Sequence, residues 1–141
     1  MIHVDTNIIL RYLLDPANEA EAEMARASQD LFKRVDAGSE TITTSEAILT
    51  EVVYVLQSNR WYNLSESEIS ERFKPIIQLP GLHISNKRRY LRALDIFVTH
   101  APHLDFEDAI LVAIVEAENP PVLYSFDRDF DRVPQIERRE P

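Results

Sequence analysis

Residues 1–14 read MIHVDTNIILRYLL, and this stretch decides the fold. Met1 to Val4 is a short apolar run of strand character, and it stops at an acid, Asp5. Thr6 to Leu14 then follows a helical pattern of polar and apolar residues, closed by Asp15-Pro16. A strand that ends on a carboxylate and turns straight into a helix begins an alternating chain of strands and helices.

The rest of the sequence continues that alternation. Glu19 to Ala37 is rich in Ala, Glu and Arg and predicts a helix, with Gly38 as its C-terminal cap. Glu40 to Thr43 is β-prone. Glu46 to Asn59 keeps Ile48, Leu49, Val52, Val53, Val55 and Leu56 at helical spacing, behind Thr44 or Ser45 as N-cap. Ser65 with Glu68 forms a capping-box pattern for a helix running toward Leu79, and Pro75 is expected to kink it or end its regular part. Leu82 to Ile84 reads as another strand-like piece, and Asn86 to Thr99 as a basic helix. Asp105 to Glu118 is a helix apolar nearly all round, the mark of a buried one. Pro120-Pro121 stops it, Val122 to Tyr124 is a strand, and Gln135 to Arg138 is a final edge strand. The pattern predicts an α/β fold on a parallel sheet, within one domain spanning 1–141.

Composition narrows the function classes. With 141 residues, 45% of them hydrophobic, the chain can bury a substantial core. It has no cysteine, which excludes disulfide scaffolds and thiolate zinc sites. The longest strictly apolar run, Ala109 to Val115, falls well short of the roughly 20 residues a bilayer span needs. The first residues carry no basic region and no long apolar segment, so no signal peptide is read and a cytoplasmic protein is expected. The formal net charge of −9 is unusual for a protein that binds nucleic acid. Acids gathered in one metal pocket would account for part of it, and an acidic surface also suits a basic protein partner.

The acids are where chemistry is expected. Ligands of open α/β sheets bind beyond the carboxyl ends of the strands. Asp5 follows the first strand directly, and Asp127 follows Val122 to Tyr124 closely. Asp105 and Asp108 lie three apart at the start of the buried helix. Glu51 sits among Leu49, Val52 and Val53, with its register read as pointing toward the core. Carboxylates brought together repel strongly, and a divalent cation removes that penalty. Oxygen donors suit Mg²⁺ or Mn²⁺, and the corresponding chemistry is metal-assisted phosphodiester hydrolysis. Each acid also has a plainer reading: Asp5 as a helix cap, Asp105 and Asp108 as partners of a helix dipole, Asp127 as a turn residue.

Four segments together resemble the PIN-domain family, and within it the VapC-type toxins of toxin–antitoxin pairs. They are VDTNIILRYLL, ILTEVVYVL around Glu51, DFEDAILVAIVEA around Asp108, and LYSFDRDFDRV around Asp127. Their order and spacing cover essentially the whole chain. The resemblance implies a three-layer fold with a central parallel sheet of four to five short strands flanked by helices. It implies an RNA endonuclease dependent on Mg²⁺ or Mn²⁺, with Asp5, Glu51, Asp108 and Asp127 as catalytic and metal-holding acids and Asp105 as a further candidate ligand. Asn7 and Ser125 are then expected to orient those carboxylates. A homodimer and a cognate antitoxin that covers the groove are also implied.

Basic residues offer a path for RNA. Lys87, Arg88, Arg89 and Arg92 crowd one helical stretch with Tyr90 among them, which would suit a phosphate backbone and a stacked base. A solvated helix face is the plain alternative. Arg11 and Arg128 lie close in sequence to Asp5 and Asp127. Trp61 and Tyr62 read as core or dimer contacts. No histidine is placed as a general base. Two competing functions remain. One is a PIN-like binding module without activity. The other, an aspartate-nucleophile phosphohydrolase, wants a second Asp two residues after Asp5, where this chain has Asn7.

Overall fold

The computed structural model describes all residues, 1–141. Strand β1 (Ile2–His3) leads into α1 (Thr6–Leu13), followed by α2 (Glu19–Asp36), β2 (Ile42–Thr43) and α3 (Glu46–Gln57). Then come α4 (Glu66–Ile77), α5 (Lys87–Thr99), α6 (Phe106–Val115), β3 (Val122–Tyr124), a 3-10 turn (Arg128–Arg132) and β4 (Glu137–Arg139). The fold is mixed α/β, with six helices and short parallel strands.

The strands form two parallel pairs. Ile2 pairs with Ile42 and His3 with Thr43, and Leu82 adds a single parallel bridge to Ile42. Val122, Leu123 and Tyr124 pair with Glu137, Arg138 and Arg139. The piece expected over Leu82 to Ile84 thus contributes one bridge rather than a strand. Strands of two or three residues make few ladder bonds, so side chains must hold them. Thr44 does so at β1, its hydroxyl donating to the Val4 carbonyl at 3.0 Å.

Side-chain burial explains the helices. In α3, Leu49, Val52, Val53 and Leu56 are buried at spacings of three and four, so one face enters the core. That register leaves Glu51 and Tyr54 on the outer face. The expectation that Glu51 points inward is therefore corrected: its apolar neighbours turn away from it. In α6, Phe106, Ala109, Ile110, Val112, Ala113 and Val115 are buried, as the sequence predicts. Phe97 of α5 meets Phe106 edge-on, with ring centroids 5.8 Å apart, and so anchors the first turn of α6. Helix α4 continues through Pro75 to Ile77. Pro75 lies in its last turn, so the lost N–H interrupts only the end of the ladder.

Both glycines have a physical reason. Gly38 takes φ +73° just past α2, which suits a residue without Cβ. Gly81 is required by space: a Cβ there would lie 2.3 Å from the Glu40 carbonyl oxygen and 2.6 Å from that of Val35. Its own N–H donates to Val35 and its carbonyl accepts from Ile42. Gly81 therefore ties the end of α2 to β2.

Candidate active site

Three of the four acids sit at helix starts. Asp5 is the N-cap of α1, its Oδ1 accepting from the Thr6 N–H at 2.7 Å. Asp105 caps α6 in a reciprocal box with Asp108: the Asp108 N–H donates to Asp105 Oδ1 at 2.8 Å, and the Asp105 N–H donates to Asp108 Oδ2 at 3.3 Å. Asp127 caps the 3-10 turn, its Oδ1 accepting from the Asp129 N–H at 2.9 Å. The plain reading of Asp5 as a helix cap thus matches the structure, and Asp105 and Asp127, read as a helix-dipole partner and a turn residue, are caps as well. The helix N-termini also place partial positive charge under these carboxylates.

Capping leaves each carboxylate half used. Asp5 keeps Oδ2, Asp108 keeps Oδ1 and Asp127 keeps Oδ2 without a protein donor. Glu51 follows the same rule. The Thr6 hydroxyl donates to its Oε2 at 2.6 Å, and Oε1 is left over. None of the four is paired with a lysine or arginine, whereas Glu21, Glu40, Asp95, Glu116 and Asp131 all are.

Two sets of acids result. Thr6, buried at 7% exposure, joins Asp5 and Glu51 through its N–H and its hydroxyl. Asp105, Asp108 and Asp127 form the second set, linked by their charges. Burial, then the negative charge of Asp105 and, more weakly, of Asp127, push the Asp108 carboxyl up to about 6. The convergence expected from sequence is partial. No three His, Asp or Glu side chains stand close enough together to enclose a metal ion. Mutual repulsion of the carboxylates opposes closer approach.

The supporting residues behave differently from expectation. Asn7 makes no side-chain hydrogen bond to an acid; it lines a cleft of about 350 Å³ between α1 and α2 with Ile8, Arg11 and Met24. Thr6, one residue earlier, has the orienting role. Ser125 acts on the backbone, its Oγ accepting from the Asp127 N–H at 3.0 Å. His103 stands beside an acid outside the four, its Nδ1 4.0 Å from Asp129 Oδ1.

The basic residues divide. Arg11 pairs with Glu21 at 3.0 Å, and Arg92 grips Glu116 with two nitrogens at 2.6 and 3.0 Å. Lys87 donates to the Leu79 carbonyl at 2.6 Å, and burial lowers its ammonium pKa. Arg88, Arg89 and Arg128 make no ion pair. Arg88 and Arg89 border a cleft of about 440 Å³ with Asn86, Lys87, Arg92, Ala113 and Ile114. Tyr90 is buried and donates to Glu46 at 3.1 Å, so it offers no stacking face. Trp61 is exposed, with the Arg60 guanidinium 5.5 Å from its ring centroid, and is no part of the core.

A mixed α/β domain with acids at the carboxyl ends of parallel strands and at helix starts is the arrangement found in nuclease-type domains, and the family match assigns the chain to that class. The chain belongs to the PIN domain family, whose model matches residues 2–136. Nucleases of this family generally use divalent metal ions and act on RNA. No curated protein matches the chain as a relative. No helix is long and apolar enough to cross a membrane.

Proposed function

We propose that this chain is a metal-dependent RNA endonuclease in which Asp5, Glu51, Asp108 and Asp127 hold Mg²⁺ or Mn²⁺. One observation carries the reading: four carboxylates, none with a cationic partner, each fixed by one oxygen and free at the other. Such donors are hard and anionic, the type a small divalent cation takes, and a cation would have to draw the two sets together. Burial first, and then the negative charge of Asp105 and Asp127, raises the Asp108 carboxyl, and a cation would offset the charge part of that shift.

Bound there, the metal supplies Lewis-acid polarisation of the phosphate and activation of water. The chain's own residues do the placing. Thr6 holds Asp5 and Glu51 in register with each other. Asp105 fixes the Asp108 rotamer through the capping box and lends a further negative charge, which suits a ligand acting through water. Ser125 sets the backbone of Asp127. Of the six basic residues named from sequence, Arg88, Arg89 and Arg128 are free to meet the RNA backbone, while Arg11, Lys87 and Arg92 serve mainly the fold.

The role of toxin in a pair with an antitoxin belongs to the same proposal. It is supported by the family and by the four motif segments, and it includes a homodimer and a cytoplasmic setting. An acidic chain of net charge −9 suits a partner that reaches the acids with a basic group.

The test is cleavage of total cellular RNA by purified protein, wild type against Asp5→Asn, with Mn²⁺, with Mg²⁺ and with EDTA, mapping the ends. The expected result is discrete cuts with wild type and metal only. Cuts that persist in EDTA, or in Asp5→Asn at the wild-type rate, would sink the assignment.

A further inference from the structure

Arg138 is an edge-strand arginine that ordinary sequence reading assigns to the surface, yet its side chain is only 11% exposed. Each of its three guanidinium nitrogens has a partner. Nε and Nη2 donate to the two oxygens of Asp131 at 2.8 and 3.2 Å. Nη1 donates to the Ser125 carbonyl at 2.8 Å and to Glu140 Oε1 at 3.2 Å. Ser125 and Asp131 are the two ends of the segment that carries Asp127.

Between those ends the hydrogen bonds of the segment are local, with Phe130 entering the core and His103 Nδ1 4.0 Å from Asp129 Oδ1. The Asp127 N–H donates to Ser125 Oγ, and the Asp129 N–H donates to Asp127 Oδ1. These fix Asp127 relative to its neighbours but not relative to the sheet. The sheet connection is made at the Ser125 N–H, which donates to the Arg139 carbonyl at 3.1 Å, and by Arg138. Phe130 and Val133 supply the only buried apolar side chains of the 3-10 region.

We infer that Arg138 is a positioning residue for the proposed nuclease site. It staples both ends of the 125–131 segment to β4 and thereby sets where the Asp127 carboxylate stands relative to Asp108. The inference rests on the reading of Asp127 as part of that site. The staple needs a planar fork: one face of the guanidinium meets a carboxylate with two bonds while the remaining nitrogen reaches a carbonyl. A lysine ammonium can satisfy Asp131 or Ser125 but does not reproduce both. Asp131 is therefore the partner whose removal reproduces part of the effect.

Arg138→Ala, Arg138→Lys and Asp131→Asn are compared with wild type in three readouts. The first is amide hydrogen exchange at residues 125–131 without metal. The second is Mn²⁺ affinity by calorimetry. The third is single-turnover RNA cleavage with KM measured separately. Loss of protection confined to 125–131 is expected in Arg138→Ala, with Mn²⁺ affinity and kcat each falling on the order of 10–100-fold. KM for RNA is expected to stay within about threefold, because the arginine is already occupied and does not meet phosphate. Arg138→Lys recovers little and Asp131→Asn shows a smaller version of the same loss.

Unchanged protection at Asp127 and Asp129 overturns the inference whatever the activity. So does lost protection with unchanged Mn²⁺ affinity and kcat. Should Arg138→Ala fail to fold, Asp131→Asn carries the same three readouts. A wild type that neither binds Mn²⁺ nor cleaves overturns the functional reading, and the positioning role falls with it.

Discussion

Replacing Asp108 with Asn stabilises the metal-free protein at neutral pH while reducing RNA cleavage on the order of 10³-fold. The two effects share one cause. The Asp108 carboxyl is pushed up to about 6 by burial, with Asp105 and Asp127 adding negative charge. The folded state therefore binds a proton more tightly than the unfolded chain, whose ordinary aspartate titrates near 3.8. Stability then falls as pH rises from about 4 through about 6, and the penalty is fully present at pH 7. Asn is neutral at every pH, can still accept the Asp105 N–H, and removes that penalty. Because the group is partly exposed, solvent screening reduces the gain to about 1 kcal/mol, or roughly 3 °C in Tm. The gap between variant and wild type closes below about pH 4, where Asp108 is protonated in both states. Glu21, Asp131 and Glu137 work in the opposite direction. Their carboxyls are lowered by backbone or arginine partners, so their contributions are lost in acid. On the proposed reading, cleavage falls because one carboxylate of the metal site is gone, and with it several kcal/mol of charge stabilisation. Thermal melts of both proteins from pH 4 to 8 in EDTA, beside single-turnover cleavage in Mn²⁺, check both halves. A variant less stable than wild type at pH 7 would contradict the electrostatic account of this site.

Gly81→Ala is expected to cost about 3 kcal/mol, the larger effect of the two glycine substitutions. The added carbon meets two backbone carbonyls, those of Glu40 and Val35, rather than flexible side-chain ends. Relief requires moving the end of α2 away from β2, and that movement breaks the bonds Gly81 makes to Val35 and Ile42. Gly38→Ala tests a different property, since open space surrounds it and only its positive φ resists a side chain. Its expected cost is about 1 kcal/mol. Denaturant unfolding of the two variants separates them: Gly81→Ala moves the midpoint about three times as far as Gly38→Ala. Equal shifts would mean that close approach at Gly81 does not constrain the fold.

Much of this architecture is legible in the sequence, and the reasons are local. Val122 to Tyr124 lies between Pro120-Pro121 and a polar turn, so its limits are marked on both sides. Helix α6 is apolar on nearly every face, and its two acids form a capping box within four residues. Asp5 and Asp127 draw the eye because a carboxylate just beyond a strand stands at the usual ligand edge of such a sheet, and the proposal starts from them. What the sequence hides depends on pairs far apart in the chain. Thr6 reaches Glu51 across 45 positions, and Arg92 reaches Glu116 across 24. Tyr90 looks like a stacking residue among arginines until its burial against α3 is known. Glu51 looks inward because its neighbours are apolar, although the helix turn carries it to the outer face. Arg138 carries no local mark at all, since a charged residue in a short edge strand is normally solvated.

The central claim is that the four acids together hold a divalent cation. Calorimetric titration of Mn²⁺ into wild type, Asp5→Asn and Asp108→Asn at pH 7.5 tests it most directly. The account predicts saturable binding at one or two sites in wild type, weakened at least tenfold by either substitution even though Asp5 and Asp108 belong to different hydrogen-bonded sets. Wild-type binding that survives both substitutions, or no saturable binding at all, would contradict it.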